Sequence, residues 1–229
     1  MTSEVFNTDC LEYMRTLPDK AFQLAIADPP YGIGEDGAKN HSRNNMAKAT
    51  LYTPKEWDAK AMPQEWYDEL RRISRNQIIW GANHFISHIP FDSPCWVVWD
   101  KKNSGDFADC ELAWTSFPTA VRIFRFMWNG MLQEDMSHKE IRIHPTQKPV
   151  ALYAWLLKNY AKPGDRIFDP MMGSQSSRIA AYKMGFDYVG CELDKEYFDK
   201  GCERFAKECK GEIKLKDGSI VKQASLFDF

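Results

Sequence analysis

The chain has 229 residues with 30 Lys+Arg against 32 Asp+Glu, a formal charge of −2, and 44% hydrophobic and 27% charged residues. That balance excludes the disordered, collagen-like and supercharged classes, and the length suits one doubly wound α/β unit with a sizeable core. A near-neutral chain does not coat nucleic acid through global charge, so such a partner has to be met by a local patch.

No apolar run approaches the ~20 residues that cross a bilayer. Met1–Val5 lacks the basic start and apolar stretch of a secretory leader. Cys10, Cys95, Cys110, Cys191, Cys202 and Cys209 form no Cys-x-x-Cys pair. They read as reduced thiols of a cytoplasmic protein, and no metal site is expected.

In chain order, Phe22–Ala27 is a strand-like run, followed by a long polar stretch, Gly32–Thr53, with Lys39, His41, Arg43 and Lys48. Pro63–Ile73 carries Trp66, Leu70 and Ile73 at helical spacing. Strand-like runs follow at Gln77–Trp80, Cys95–Trp99 and Val121–Trp128. Val150–Tyr160 is predicted helical, then Arg166–Phe168 a strand, Ser176–Met184 a helix, Tyr188–Cys191 a strand and Asp194–Cys209 a helix. Such alternation predicts a mostly parallel sheet covered on both faces. Glu212–Lys222 alternates around Asp217-Gly218, a hairpin signal. The expected organisation is one domain over 1–211, with residues 32–53 as a mobile loop, then a hairpin and tail over 212–229.

Three constellations carry chemistry. Asp28-Pro29-Pro30-Tyr31 directly follows Leu24-Ala25-Ile26-Ala27, and ligands in open α/β sheets sit at strand C-terminal ends. Two prolines fix the backbone carbonyls, Asp28 is an acceptor and Tyr31 a flat ring. The set suits a planar group with an exocyclic amine. That amine is a poor nucleophile, because its lone pair is delocalised. Accepting its N–H bonds at Asp28 and at a proline carbonyl favours a localised lone pair, and the interaction strengthens as positive charge develops. A Pro-Pro turn capped by Asp is the plainer alternative.

The second is Asp169-Pro170-Met171-Met172-Gly173-Ser174, between a strand and a helix, with Glu192 about one strand further on. The glycine admits close ligand approach, the helix start favours polar groups, and an acidic residue at Glu192 is placed for ribose hydroxyls. A generic strand–turn–helix junction is the alternative. The third, His144-Pro145-Thr146-Gln147-Lys148-Pro149, puts polar donors before the Val150 helix, and by itself reads as a plain helix cap with Pro at its start.

Together, in this chain order, the three strongly resemble the β-class DNA amino-methyltransferases, and Asn7-Thr8-Asp9-Cys10-Leu11 resembles that family's stretch ahead of the catalytic strand. The resemblance spans roughly residues 4–205. It implies a Rossmann-like, S-adenosylmethionine-dependent methyltransferase fold with circularly permuted motif order, a mostly parallel sheet and an antiparallel edge hairpin. It implies that Asp28, Pro29, Pro30 and Tyr31 hold a flipped base, with Tyr31 stacking on it. Asp9 and Cys10 would face the cofactor's adenine, with Asp28 beside it. Asp169, Pro170, Gly173 and Ser174 would line its methionine end, Glu192 its ribose, and His144, Thr146 and Gln147 the other side of the pocket. Asp at the first motif position points by resemblance to adenine N6, with cytosine N4 as the alternative. One departure stands out. The family usually reads Gly-Ser-Gly, and Gln175 replaces the second glycine here, unfavourable if that position needs φ > 0. A non-catalytic, DNA-binding or clamp-bound relative is therefore a third reading.

Double-stranded DNA is the expected partner. Lys39, Arg43 and Lys48 are candidate phosphate contacts, as are Arg122 and Arg125, with Lys139 and Arg142, in a short target-recognition region over 122–143. Trp80-Gly81-Ala82-Asn83-His84 reads as a strand ending at a tight turn, and Cys95 as core. Gln223-Ala224-Ser225-Leu226-Phe227 resembles peptides that dock on bacterial sliding clamps, through Gln223, Leu226 and Phe227, with packing back onto the domain as the alternative. No nuclease motif is seen, so the chain reads as a bacterial or phage modification enzyme alone.

Overall fold

Phe22–Ala27 (β2) is buried on both faces: Leu24 and Ile26 join one core cluster, Phe22, Ala25 and Ala27 the other. That is what a central parallel strand requires. The computed structural model describes residues 1–34, 58–89, 91–102, 108–129, 132–214 and 219–222. The other strands of its main sheet are Ser3–Phe6 (β1), Ser74–Trp80 (β3), Trp96–Asp100 (β4), Cys110–Thr115 (β5), Arg122–Arg125 (β6), Arg166–Asp169 (β7) and Asp187–Cys191 (β8). Their spatial order is β1-β8-β7-β2-β3-β5-β4-β6. Pairing is parallel from β1 through β3 and between β4 and β6; β5 runs antiparallel to both its neighbours.

Cys10–Arg15 (α1) and Gln64–Ile73 (α2) cover one face, burying Met14, Trp66, Tyr67, Leu70 and Ile73. Val150–Tyr160 (α3) and Ser176–Met184 (α4) cover the other, where Leu152, Leu156, Leu157 and Ile179 are buried. Lys195–Lys210 (α5) packs beside α4 and ends at Gly211, φ +66. A fully buried leucine such as Leu70 is worth about 2–5 kcal/mol against alanine. Among the described residues, no helix is long and apolar enough to cross a membrane.

The alternation of strands and helices and the bounds of α3 and α4 are as the sequence predicts. Two strands were not anticipated: β1, which is only four residues long, and β5, whose residues mix buried and exposed positions. Val121–Trp128 is a shorter strand than expected. It ends at Arg125, and Trp128 makes an isolated bridge to Gln133 while its indole N–H donates to Gln147 O at 2.8 Å. Glu212–Lys214 (β9) and Ile220–Lys222 (β10) pair antiparallel as a separate two-stranded sheet. The Asp217-Gly218 turn lies outside the described residues.

Candidate active site

The sheet topology brings the sequence motifs to one edge. The C-terminal ends of β1, β8, β7, β2 and β3 lie side by side, leading into Asn7, Glu192, Pro170, Asp28 and Gly81. From β7 the chain crosses to β8 on one side, and from β2 to β3 on the other. Neighbouring β7 and β2 therefore flank the switch point, where open α/β sheets bind ligands. Because β5 is antiparallel, its first residues, Cys110 and Glu111, also fall at this edge.

At the tip of β2, Asp28 is held from two sides. Tyr31 Oη donates to Oδ1 at 2.7 Å, and Lys148 Nζ is 2.5 Å from Oδ2. Lys148 also donates to Tyr31 Oη at 3.3 Å and pairs with Glu111 Oε2 at 3.2 Å; Glu111 in turn pairs with Lys101. Burial pushes the Asp28 carboxyl above its ordinary value, and Lys148 works against that shift. Burial also acts on Glu111, but the ammonium groups of Lys148 and Lys101 outweigh it and hold the carboxyl down at about 2. Lys148 loses solvation, yet its two carboxylate neighbours raise it, so it stays charged.

The Tyr31 ring stacks on exposed His84, with centroids 5.2 Å apart and planes 15° from parallel. Gly81, φ +68, makes the expected tight turn after β3. A Cβ there would lie 2.1 Å from the Tyr31 ring, so only glycine admits the tyrosine. Buried Asp58 accepts from the backbone N–H groups of Tyr31 (2.6 Å) and Gly32 (3.0 Å), fixing the chain beyond the two prolines.

On the other side of the switch point, Glu192 accepts from Gly173 N at 2.9 Å and from Asp194 N at 2.8 Å. Asn7 donates to Glu192 O at 2.8 Å, joining the ends of β1 and β8. Asp169 accepts from Met171 N at 3.0 Å and from the Ser177 hydroxyl at 2.5 Å. Burial pushes its carboxyl up to about 7, and the Ser177 hydrogen bond opposes this. Gly173, φ +46, faces the His144 ring, 3.7 Å from where a Cβ would be. His144 Nδ1 meets Thr146 Oγ1 at 3.1 Å. Ser174 is buried, with its hydroxyl 3.1 Å from that of Ser176. Asp9 caps α1 by accepting from Leu11 N and Glu12 N.

Two side chains expected at the cofactor pocket are turned inward. Cys10 is buried, its sulfur accepts from Trp66 Nε1 at 3.3 Å, and burial pushes the thiol up to about 12. Gln147 is buried and spends its amide on the backbone of Ile143 (2.9 Å) and Ile141 (3.3 Å), bracing the loop that carries His144. Gln175 does adopt φ +61, but its side chain points into the α4–α5 interface. There it donates to Phe198 O at 3.2 Å and accepts from Arg178 at 2.8 Å.

Arg122 and Arg125 are exposed on β6, and Arg125 lies 3.4 Å from Asp100. Lys139 is exposed; Arg142 is half-buried and donates to Pro145 O at 2.9 Å. Lys39, Arg43 and Lys48, and the tail residues Gln223, Leu226 and Phe227, lie outside the described residues. Lys148, Glu111 and Asp58 were missed as site residues. Lys148 belongs to the His144–Pro149 motif, and its spacing before α3 is the available signal; nothing local marks Glu111 or Asp58.

The fold is an α/β protein with an acidic strand tip, Asp28, beside a glycine turn at the switch point of a mostly parallel sheet. Residues 101–203 match the family model of the N6/N4-type DNA methylases. Over 265 residues the chain is 24% identical to the type II methyltransferase M2.MboI of Moraxella bovis, covering 96% of this chain and 94% of that protein. Its fold is similar to that of M1.HpyAVI in its SAM complex, with TM-score 0.54 and 22% identity over 88% of this chain and 98% of that one. It is also similar to the cytosine-N4-specific PvuII DNA methyltransferase, with TM-score 0.58 and 12% identity over 88% and 86% of the two chains. The resemblance read from the motifs is borne out as a match to the DNA methylase family model over residues 101–203, on a fold shared with DNA methyltransferases.

Proposed function

We propose that the protein methylates an exocyclic base amine in DNA, adenine N6, with the base flipped out of the duplex. The observation that carries this reading is Asp28, held by its Lys148 partner at the switch point between β2 and β7. Flipping costs a few kcal/mol, because the amine lies inside the stack. Asp28 accepts an amine N–H, and a proline carbonyl accepts the other. This pairing localises the nitrogen lone pair and strengthens as positive charge grows on that nitrogen. Asp28 is also the first acceptor for the proton the methylated amine sheds. Tyr31 and His84 offer aromatic surface beside it.

The residues present fit S-adenosylmethionine. Asp9, Asp169 and Glu192 gather three carboxylates at adjoining strand ends, a set matched to a cationic, hydroxyl-bearing ligand. Asp169 is a desolvated carboxyl that a nearby cation would ionise. Gly173 leaves the turn open beneath His144. When bound, the cofactor supplies the methyl group on a sulfonium leaving group. M1.HpyAVI, a fold neighbour, is known in complex with it. The inactive alternative is not favoured, since Gln175 turns away from this turn and the Asp28–Tyr31 set is complete.

Cytosine N4 is the second reading. It is favoured by the fold likeness to a cytosine-N4-specific enzyme and by a site chemistry that serves either amine. The name of M2.MboI supports a modification role of the type II kind. DNA contact through Arg122 and Arg125, and clamp docking through Leu226 and Phe227, belong to this proposal as well. The test uses labelled S-adenosylmethionine and unmethylated DNA, followed by digestion to nucleosides. Label in N6-methyladenine supports the reading, label in N4-methylcytosine moves the substrate, and no label rejects both.

A further inference from the structure

Lys148 is a deeply buried cation at the site, with its side chain 4% exposed. Its ammonium lies within 3.3 Å of three oxygens, on Asp28, Tyr31 and Glu111. A charged ammonium so placed has no lone pair to offer, which excludes it as a base or nucleophile. Glu111 Oε2 meets it at 3.2 Å, the longer of its two carboxylate contacts. Two carboxylates thus share one buried cation, and one of them, Asp28, sits at the tip of β2.

We propose that Lys148 and Glu111 are positioning residues that set the proton affinity of Asp28 from opposite directions. The inference rests on the methyl-transfer reading above. Lys148 favours the carboxylate of Asp28 in a site whose desolvation favours the neutral acid. Glu111 draws part of that cation's field to itself, so Asp28 remains basic enough to accept the amine N–H. Lys101, which pairs with Glu111, tempers Glu111 in turn. The other groups facing Asp28 are the hydroxyl of Tyr31, Tyr153 on α3 and the carboxyl of Asp169 on β7. Among the described residues none of these carries a positive charge, and Lys148 is the cation in contact with Asp28.

The arrangement predicts shifts of opposite sign. Lys148→Gln raises the pH at which Asp28 ionises, by about one unit or more. Glu111→Gln lowers it, because Lys148 then acts on Asp28 alone. Lys101→Gln, at a more exposed position, raises it slightly, and Lys148→Arg keeps it near the wild-type value. Two readouts are taken on the full-length protein. The first is titration of the Asp28 carboxyl carbon by NMR, without DNA or cofactor. The second is the single-turnover rate of methyl transfer to DNA across pH 5–9. The acidic limb of the rate is expected to follow the titration in each variant. Lys148→Gln should lose on the order of 10²-fold in rate at neutral pH, and Lys148→Arg should recover most of it. An Asp28 titration that moves in the same direction in Lys148→Gln and Glu111→Gln, or moves in neither, overturns the proposal. Should one of these two fail to fold, Lys101→Gln decides it by the sign of its own shift. Opposed titration shifts in a wild type that transfers no methyl group would instead reject the function and leave the electrostatic arrangement standing.

Discussion

Gly201 on α5 and Gln175 ahead of α4 share one small volume. A Cβ at position 201 would lie 2.6 Å from Gln175 Cγ. The glycine in mid-helix thus makes room for the side chain that replaces the family's second turn glycine. A non-glycine residue at φ +61 costs about 1–2 kcal/mol. The hydrogen bonds of Gln175 to Phe198 O and Arg178 offset that cost.

Gly201→Ala therefore destabilises the wild type by about 1–3 kcal/mol through overpacking. In a Gln175→Gly background the same change should stabilise by up to about 1 kcal/mol, the helix-propensity gain of alanine over glycine. Urea unfolding of the four proteins measures this. The same sign in both backgrounds would break the link between the two positions.

Asp28→Asn keeps the size of the side chain but removes the anion that meets the growing positive charge. Methyl transfer should fall by on the order of 10²–10³-fold. Cofactor affinity, measured by calorimetry without DNA, should stay close to wild type, because Asp169 and Glu192 are untouched. Equal losses in both would make Asp28 a folding residue instead.

Asp169 gives a stability term with a definite sign. Its carboxyl holds a proton up to about 7 in the folded chain, against 3.8 when unperturbed. The folded state therefore binds the extra proton between those values. The contribution is fully present below 3.8 and is lost as pH rises through about 7, by up to about 1.4 kcal/mol per pH unit. Asp169→Asn should flatten that part of the curve between pH 5 and 7 in urea unfolding. A variant with the wild-type pH dependence would refute it. Binding of a cationic ligand should strengthen over the same range, as the carboxylate forms.

Arg122 and Arg125 are exposed on an edge strand, and Arg125 lies 3.4 Å from Asp100. Replacing both with alanine should weaken DNA binding and reduce the salt slope of log K by about 2, roughly one for each phosphate contact. The slope is read from binding at several salt concentrations. An unchanged slope would remove β6 from the DNA interface.

The motif-bearing junctions are legible in the local sequence. Alternating apolar runs, the Asp-Pro-Pro turn, the Gly173 turn and the bounds of α3 and α4 are local patterns, and local backbone preference writes them directly into neighbouring residues. Which motifs would face one another was legible only through resemblance. The tertiary structure decided the rest. It joined Lys148 and Glu111 to Asp28 from distant points in the chain, which required that β5 run antiparallel and start at the site edge. It turned Cys10 and Gln147 inward, where Trp66 and the 141–143 backbone supply partners that no spacing reveals. It also resolved Gln175, whose φ costs energy locally and whose compensation, Gly201, sits on another helix. Side-chain pairing depends on strand order and helix packing, and those are settled by burial summed over the whole chain rather than by any one segment.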